Sequence, residues 1–122
     1  MTKVLIVEDE VTLADAYRFA LQKAGYEVLV AYGANDGIEL AKKHEPQLIL
    51  LDMLMPDKNG IEFMQEIKPK NMKGMNVCIL SNIENPDVVA AAKKLGAVDY
   101  LLKVDHTPYQ IAEVVKTLTK KS

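Results

Sequence analysis

The chain is predicted to be an α/β protein built on a doubly wound parallel sheet, and three observations carry that prediction. Short, unbroken apolar runs at 4–7, 48–51 and 77–80 read as strands buried on both faces. Stretches with apolar residues at helical spacing alternate strictly with the strand-like runs. Gly, Pro, Asn or Asp turn signals punctuate each change, with no linker and no low-complexity segment. Five strand–helix units in strict alternation imply a parallel sheet with helices on both faces and right-handed crossovers.

In chain order, the first strand (4–7) runs into the acidic cluster Glu8, Asp9 and Glu10. Leu13, Tyr17, Ala20, Leu21 and Ala24 then recur at helical spacing, and Gly25 occupies the position after a helix that favours a left-handed residue. The second strand is expected at 28–32. Asn35 and Asp36 are expected to cap a short helix that turns Ile38 and Ala41 to the core, with Pro46 stopping anything beyond it. The third strand, 48–51, stops at one carboxylate, Asp52, and Pro56, Asp57, Asn59 and Gly60 crowd into a turn. Ile61, Phe63, Met64 and Ile67 suggest a helix that ends before Pro69. The fourth strand, 77–80, ends in Ser81 and Asn82. Asn85-Pro86 is a capping side chain followed by proline at the first helical position, and Thr107-Pro108 repeats it after a fifth strand at 98–102 that ends at Lys103. Ile111, Val114, Val115 and Leu118 give the last helix its apolar face.

Composition narrows the function classes. A chain of 122 residues is one domain, 1–122, by the usual size prior, and it can bury about 65–70% of its unfolded surface. A net charge of −2 argues against a general nucleic-acid-binding surface. Cys78, the single cysteine, excludes an internal disulfide and fits a reducing cytosol. No apolar run approaches membrane-spanning length, so a cytoplasmic protein is expected. His44 and His106 lack metal-ligand spacing and are expected at the surface. Met53 and Met55 read as filling beside the site, and Lys42-Lys43, Lys93-Lys94 and Lys120-Lys121 as solvated faces.

The chemistry gathers at the strand ends. The first strand delivers Glu8 and Asp9, the third Asp52, the fourth Ser81 and the fifth Lys103. In a doubly wound sheet these ends share the edge where ligands bind. Three carboxylates in one pocket repel one another and raise each other's proton affinity. A hard divalent cation such as Mg²⁺ resolves this, because it takes oxygen ligands and retains waters. With a lysine and a hydroxyl around one carboxylate, the set suits stabilisation of a transferring phosphoryl group, with Asp52 as the nucleophile.

These residues resemble the receiver domains of two-component response regulators. The resemblance rests on Val-Glu-Asp-Glu at 7–10, Leu-Asp-Met-Leu-Met-Pro at 51–56 with Gly60 after it, Ser81, and Gly-Ala-Val-Asp-Tyr-Leu-Leu-Lys at 96–103. It implies a flavodoxin-like three-layer sandwich with strand order 2-1-3-4-5 and five helices. It also implies that Asp52 is the phosphoacceptor, that Asp9, Asp52 and the backbone carbonyl of Leu54 bind Mg²⁺, and that Glu8 helps through a water. Lys103 would pair with the phosphoryl group, Ser81 would swing toward it, and Tyr100 would follow as the switch residue. The implied donor is a sensor histidine kinase or phosphotransfer protein. The implied output is a downstream protein bound by the surface of helix 4, strand 5 and helix 5. A phosphoacceptor that catalyses its own phosphorylation and dephosphorylation is not an enzyme in the usual sense. No direct contact with nucleic acid or membrane is implied. The chain stops just after its fifth helix, so output is expected to pass to another protein, unless the chain is an excised domain.

Three positions depart from the family's pattern. Ser81 replaces threonine. Asn82 stands where a small residue is usual, and its bulk is expected to narrow access to the phosphoryl group. Val104 follows the lysine where proline is usual and the bond is typically cis; a cis bond before a non-proline residue costs about 2.5–4 kcal/mol. The sequence leaves open whether this bond is trans or strained. A flavin-binding protein of this architecture would want a Ser/Thr/Gly-rich cradle after the first strand, where this chain has Glu-Asp-Glu. A haloacid-dehalogenase-type phosphatase would want a second Asp at the position of Leu54. The remaining rival is a pseudo-receiver, an interaction module regulated without phosphorylation.

Overall fold

The computed structural model describes residues 1–72 and 74–120; the expectation for Lys121 lies outside them. Five strands, β1 (Lys3–Val7), β2 (Glu27–Ala31), β3 (Leu48–Asp52), β4 (Asn76–Ser81) and β5 (Ala97–Leu102), alternate with five helices, α1 (Val11–Lys23), α2 (Ala34–His44), α3 (Gly60–Ile67), α4 (Pro86–Lys94) and α5 (Pro108–Thr119). All the strand pairs are parallel and the order is β2-β1-β3-β4-β5, as the resemblance implies.

Period-2 alternation along the central strands builds two cores. Leu5, Val7, Ile49, Leu51, Val77 and Ile79 face α2, α3 and α4, meeting Ile38, Phe63, Met64 and Ala92. Val4, Ile6, Leu48, Leu50, Cys78 and Leu80 face α1 and α5, meeting Tyr17, Leu21, Ile111 and Val115. β3 is buried at every position, which is why its sequence is continuously apolar up to Asp52. Cys78 is packed in this core, and burial pushes its thiol up to about 12, so it acts as an inert apolar filler.

Local stop and start signals do their expected work at most junctions. Gly25 adopts φ +99° after α1. The Asn85 side chain accepts from the Asp87 N–H at 2.8 Å, and Thr107 with Gln110 closes a reciprocal capping box at the start of α5. Three expectations need correction. β2 lies one residue earlier than expected, so Tyr32 falls beyond it and half exposed. α2 begins at Ala34, and neither Asn35 nor Asp36 caps it. Its first N–H groups are bound instead by Asp57, from the turn after β3, whose Oδ1 and Oδ2 accept from Ala34 at 3.0 Å and Asn35 at 2.9 Å. His44 and His106 are half-buried, and His106 Nδ1 lies 2.8 Å from the Leu102 carbonyl at the end of β5.

Candidate functional site

The carboxyl edge of the sheet assembles the residues that the strand ends supply. β1 hands over Glu8 directly: its N–H donates to the Ala31 carbonyl at 3.0 Å, continuing the ladder, and its side chain is buried. Glu8 Oε2 also accepts from the Glu10 N–H at 3.2 Å, which holds the acidic turn in shape. Asp52, last residue of β3, is buried as well, and the Leu54 N–H approaches its Oδ1 at 3.4 Å. Asp9 stands exposed at the rim. One carboxylate oxygen from each of Glu8, Asp9 and Asp52 falls within 4.8 Å of the others.

Lys103 closes the group from the far side of the sheet. Its Nζ donates to Glu8 Oε1 at 2.6 Å and lies 3.1 Å from Asp52 Oδ1. Thus one ammonium pairs with two buried carboxylates, while a third carboxylate stands at the rim. Asp52 responds to that imbalance: burial and the nearby Glu8 charge push its carboxyl up to about 7, against the lowering influence of Lys103. Lys103 moves upward too: burial alone would lower it, but its bonds to Glu8 and the Asp52 charge outweigh that. Tyr17, whose ring packs in the α1 core, is pushed to about 12 chiefly by burial.

Hard oxygen donors in excess of positive charge are what a small divalent cation takes. The side-chain donors at hand are Asp9 and Asp52, with Glu8 behind them engaged by Lys103. Of Leu54, the N–H is the group that meets Asp52, and its side chain is exposed. The residue set therefore fits Mg²⁺.

The turns after β4 and β5 hold the remaining predicted residues. Ser81 is buried, and its Oγ accepts from the Ile83 N–H at 3.0 Å. The Tyr100 hydroxyl donates to the Ile83 carbonyl at 2.9 Å. The hydroxyl and the aromatic ring are thus joined through one backbone unit, Ile83, which the sequence did not point to. The Lys103–Val104 bond is trans, as are all peptide bonds among the described residues. Val104 spends its N–H on Asn82 Oδ1 at 3.0 Å. The two unusual positions, Asn82 and Val104, are therefore partners. A proline at 104 would have no N–H to offer, and that was the one available signal.

Comparison with known proteins places this arrangement. A family model of the response regulator receiver domain matches residues 4–118. The chain is similar to a response regulator receiver domain protein from Clostridium thermocellum, at 28% identity over 98% of this chain and 94% of that one, with a TM-score of 0.86. It is similar to the chemotaxis protein CheY4 of Vibrio cholerae at 27% identity over 97% and 98% of the two chains, TM-score 0.87. A CheY-like receiver domain protein from Methanospirillum hungatei matches at 25% identity over 96% and 92%, TM-score 0.88. The chain belongs to the response regulator receiver domain family of two-component systems.

Proposed function

We propose that this receiver takes a phosphoryl group onto Asp52 from the phosphohistidine of a sensor kinase or phosphotransfer protein, in a Mg²⁺-dependent reaction, and passes the change to a protein partner. The observation that carries this is Lys103 Nζ 3.1 Å from Asp52 Oδ1, beside three carboxylates gathered within 4.8 Å. In the transfer, a carboxylate oxygen of Asp52 forms a bond to phosphorus while the donor's N–P bond breaks, and the electron pair leaves with the imidazole. Asp9 and Asp52, with the Leu54 carbonyl, would hold the Mg²⁺, which would supply positive charge against the phosphoryl oxygens. Lys103 exchanges part of its hold on Glu8 and Asp52 for a phosphoryl oxygen. Ser81 turns its hydroxyl from the Ile83 N–H toward another.

The output follows from what Ser81 leaves behind. Ile83 N–H loses its acceptor while Ile83 carbonyl still holds Tyr100, so the turn before α4 and the ring on β5 shift together. The phosphoryl group carries roughly −1.5 to −2 charge. Because the acyl phosphate replaces the carboxylate's own charge, the net gain is about one negative charge, with three new acceptor oxygens to bias such an element. The surface of α4, β5 and α5 then presents a different face to its protein target. Incubation with acetyl phosphate and Mg²⁺ should add one phosphoryl mass to the wild type and none to Asp52→Asn. Absence of the added mass from wild type would contradict the acceptor role and leave an interaction module that works without phosphorylation.

A further inference from the structure

The bond between Asn82 and Val104 joins the two turns that carry the reacting groups. Asn82 directly follows Ser81 at the end of β4, and Val104 directly follows Lys103 at the end of β5. The side chains of both are exposed, so neither is placed by packing. Among the described residues, the one hydrogen bond that joins them is Val104 N–H to Asn82 Oδ1 at 3.0 Å. Residues Lys103–Asp105 form a single 3-10 turn, closed by the His106 N–H on the Lys103 carbonyl at 3.3 Å. That turn begins at the lysine whose ammonium lies between Glu8 and Asp52. A lysine on a flexible stem is only as well aimed as the backbone from which it pivots, and small displacements of a reacting group carry large rate effects.

We propose that Asn82 is a positioning residue for phosphoryl acceptance: its side-chain carbonyl is a strut that pins the trans peptide after Lys103 and so aims Nζ at Asp52. This rests on Asp52 being the acceptor. It differs from the expectation drawn from size alone, in which the bulk of Asn82 narrows access to the phosphoryl group and its removal should speed the chemistry. A bond between an exposed side chain and backbone is modest, so its loss should slow phosphorylation about three- to tenfold rather than abolish it.

Two variants separate strut from obstruction. Asn82→Ala removes both bulk and acceptor; Asn82→Leu keeps the bulk and removes only the acceptor. Initial rates of phosphorylation by acetyl phosphate at saturating Mg²⁺ would be compared, with hydrogen exchange at the Val104 amide and Mg²⁺ affinity as companion readings. The strut predicts that both variants are slowed alike, that the Val104 amide exchanges about three- to tenfold faster, and that Mg²⁺ affinity is unchanged. Faster phosphorylation of Asn82→Ala with a wild-type rate for Asn82→Leu would overturn it in favour of obstruction. Wild-type rates in both would overturn it outright. A parallel drop in Mg²⁺ affinity would also overturn it, because the site as a whole would then have loosened. If the wild type itself takes up no phosphoryl group, the acceptor role fails first and the strut's purpose with it. Normal wild-type uptake with unchanged variants sinks the strut alone.

Discussion

The two halves of the site are held by different physics. On the β1/β3 side, the buried Glu8 and Asp52 stand at the ends of strands that are buried over 4–7 and 48–52. On the β4/β5 side, Ser81 and Lys103 lead into turns held by a few separate hydrogen bonds at Ile83, Tyr100, Val104 and His106. A buried strand end gives carboxylates a fixed place, whereas a half-exposed turn held by a few hydrogen bonds can trade partners. Under the proposed function, the acceptor belongs on the first and the moving parts on the second.

The largest effect should come from removing the charge that links the halves. Lys103→Met leaves Glu8 and Asp52 buried without a counter-ion, and breaking a pair this way costs about 3–5 kcal/mol. Denaturant unfolding in metal-free buffer at pH 8 should show that loss. It should shrink at pH 5, where Asp52, its carboxyl already pushed up to about 7, takes up a proton.

The converse substitution should stabilise. With Asp52 raised from 3.8 to about 7, its favourable contribution is complete below pH 4 and is lost as pH rises through about 7. Metal-free wild type should therefore lose stability across pH 4–8 relative to Asp52→Asn, which should be the more stable by about 1–3 kcal/mol at pH 8. Paired urea titrations at several pH values would check it, and equal slopes would mean that Asp52 is not under charge strain. Asp9→Asn, by contrast, touches an exposed carboxylate and should weaken Mg²⁺ about tenfold or more with little change in stability. A fluorescence or calorimetric titration giving equal affinities would remove Asp9 from the site.

The same division explains what the sequence made legible. Strand cores and their terminal carboxylates were readable because burial forces continuous apolar runs that end at a polar residue. The cap-plus-proline starts of α4 and α5 were readable because each cap is local. What escaped notice joins distant segments through one bond: Asp57 capping α2, Ile83 bridging Ser81 and Tyr100, and Asn82 meeting Val104. No periodicity records such pairs. The half-buried His106 belongs to the same group, since its partner is a strand-end carbonyl.

Smaller effects sharpen the picture of those long-range bonds. Tyr100→Phe removes the hydroxyl from the Ile83 carbonyl and should cost about 0.5–1.5 kcal/mol by denaturant unfolding. Asp57→Ala should fray α2 and cost about 0.5–2 kcal/mol. The backbone donors of Asn35 and Ala34 hold the Asp57 carboxyl below its ordinary value, so its contribution is present above pH 4 and fades as pH falls through that lowered value.

The most direct measurement is an amide NMR comparison of the protein with and without beryllofluoride and Mg²⁺, beside an Asp52→Asn control. Bound at Asp52, beryllofluoride stands in for the phosphoryl group. Large shifts should appear at Ser81, Ile83, Tyr100 and 103–105 and extend into α4 and α5. On the β1/β3 side, changes should be confined to the strand ends at 8–9 and 52–54, and the control should stay still. Shifts confined to the pocket, with Tyr100 and the last helix unmoved, would contradict a switch on this surface.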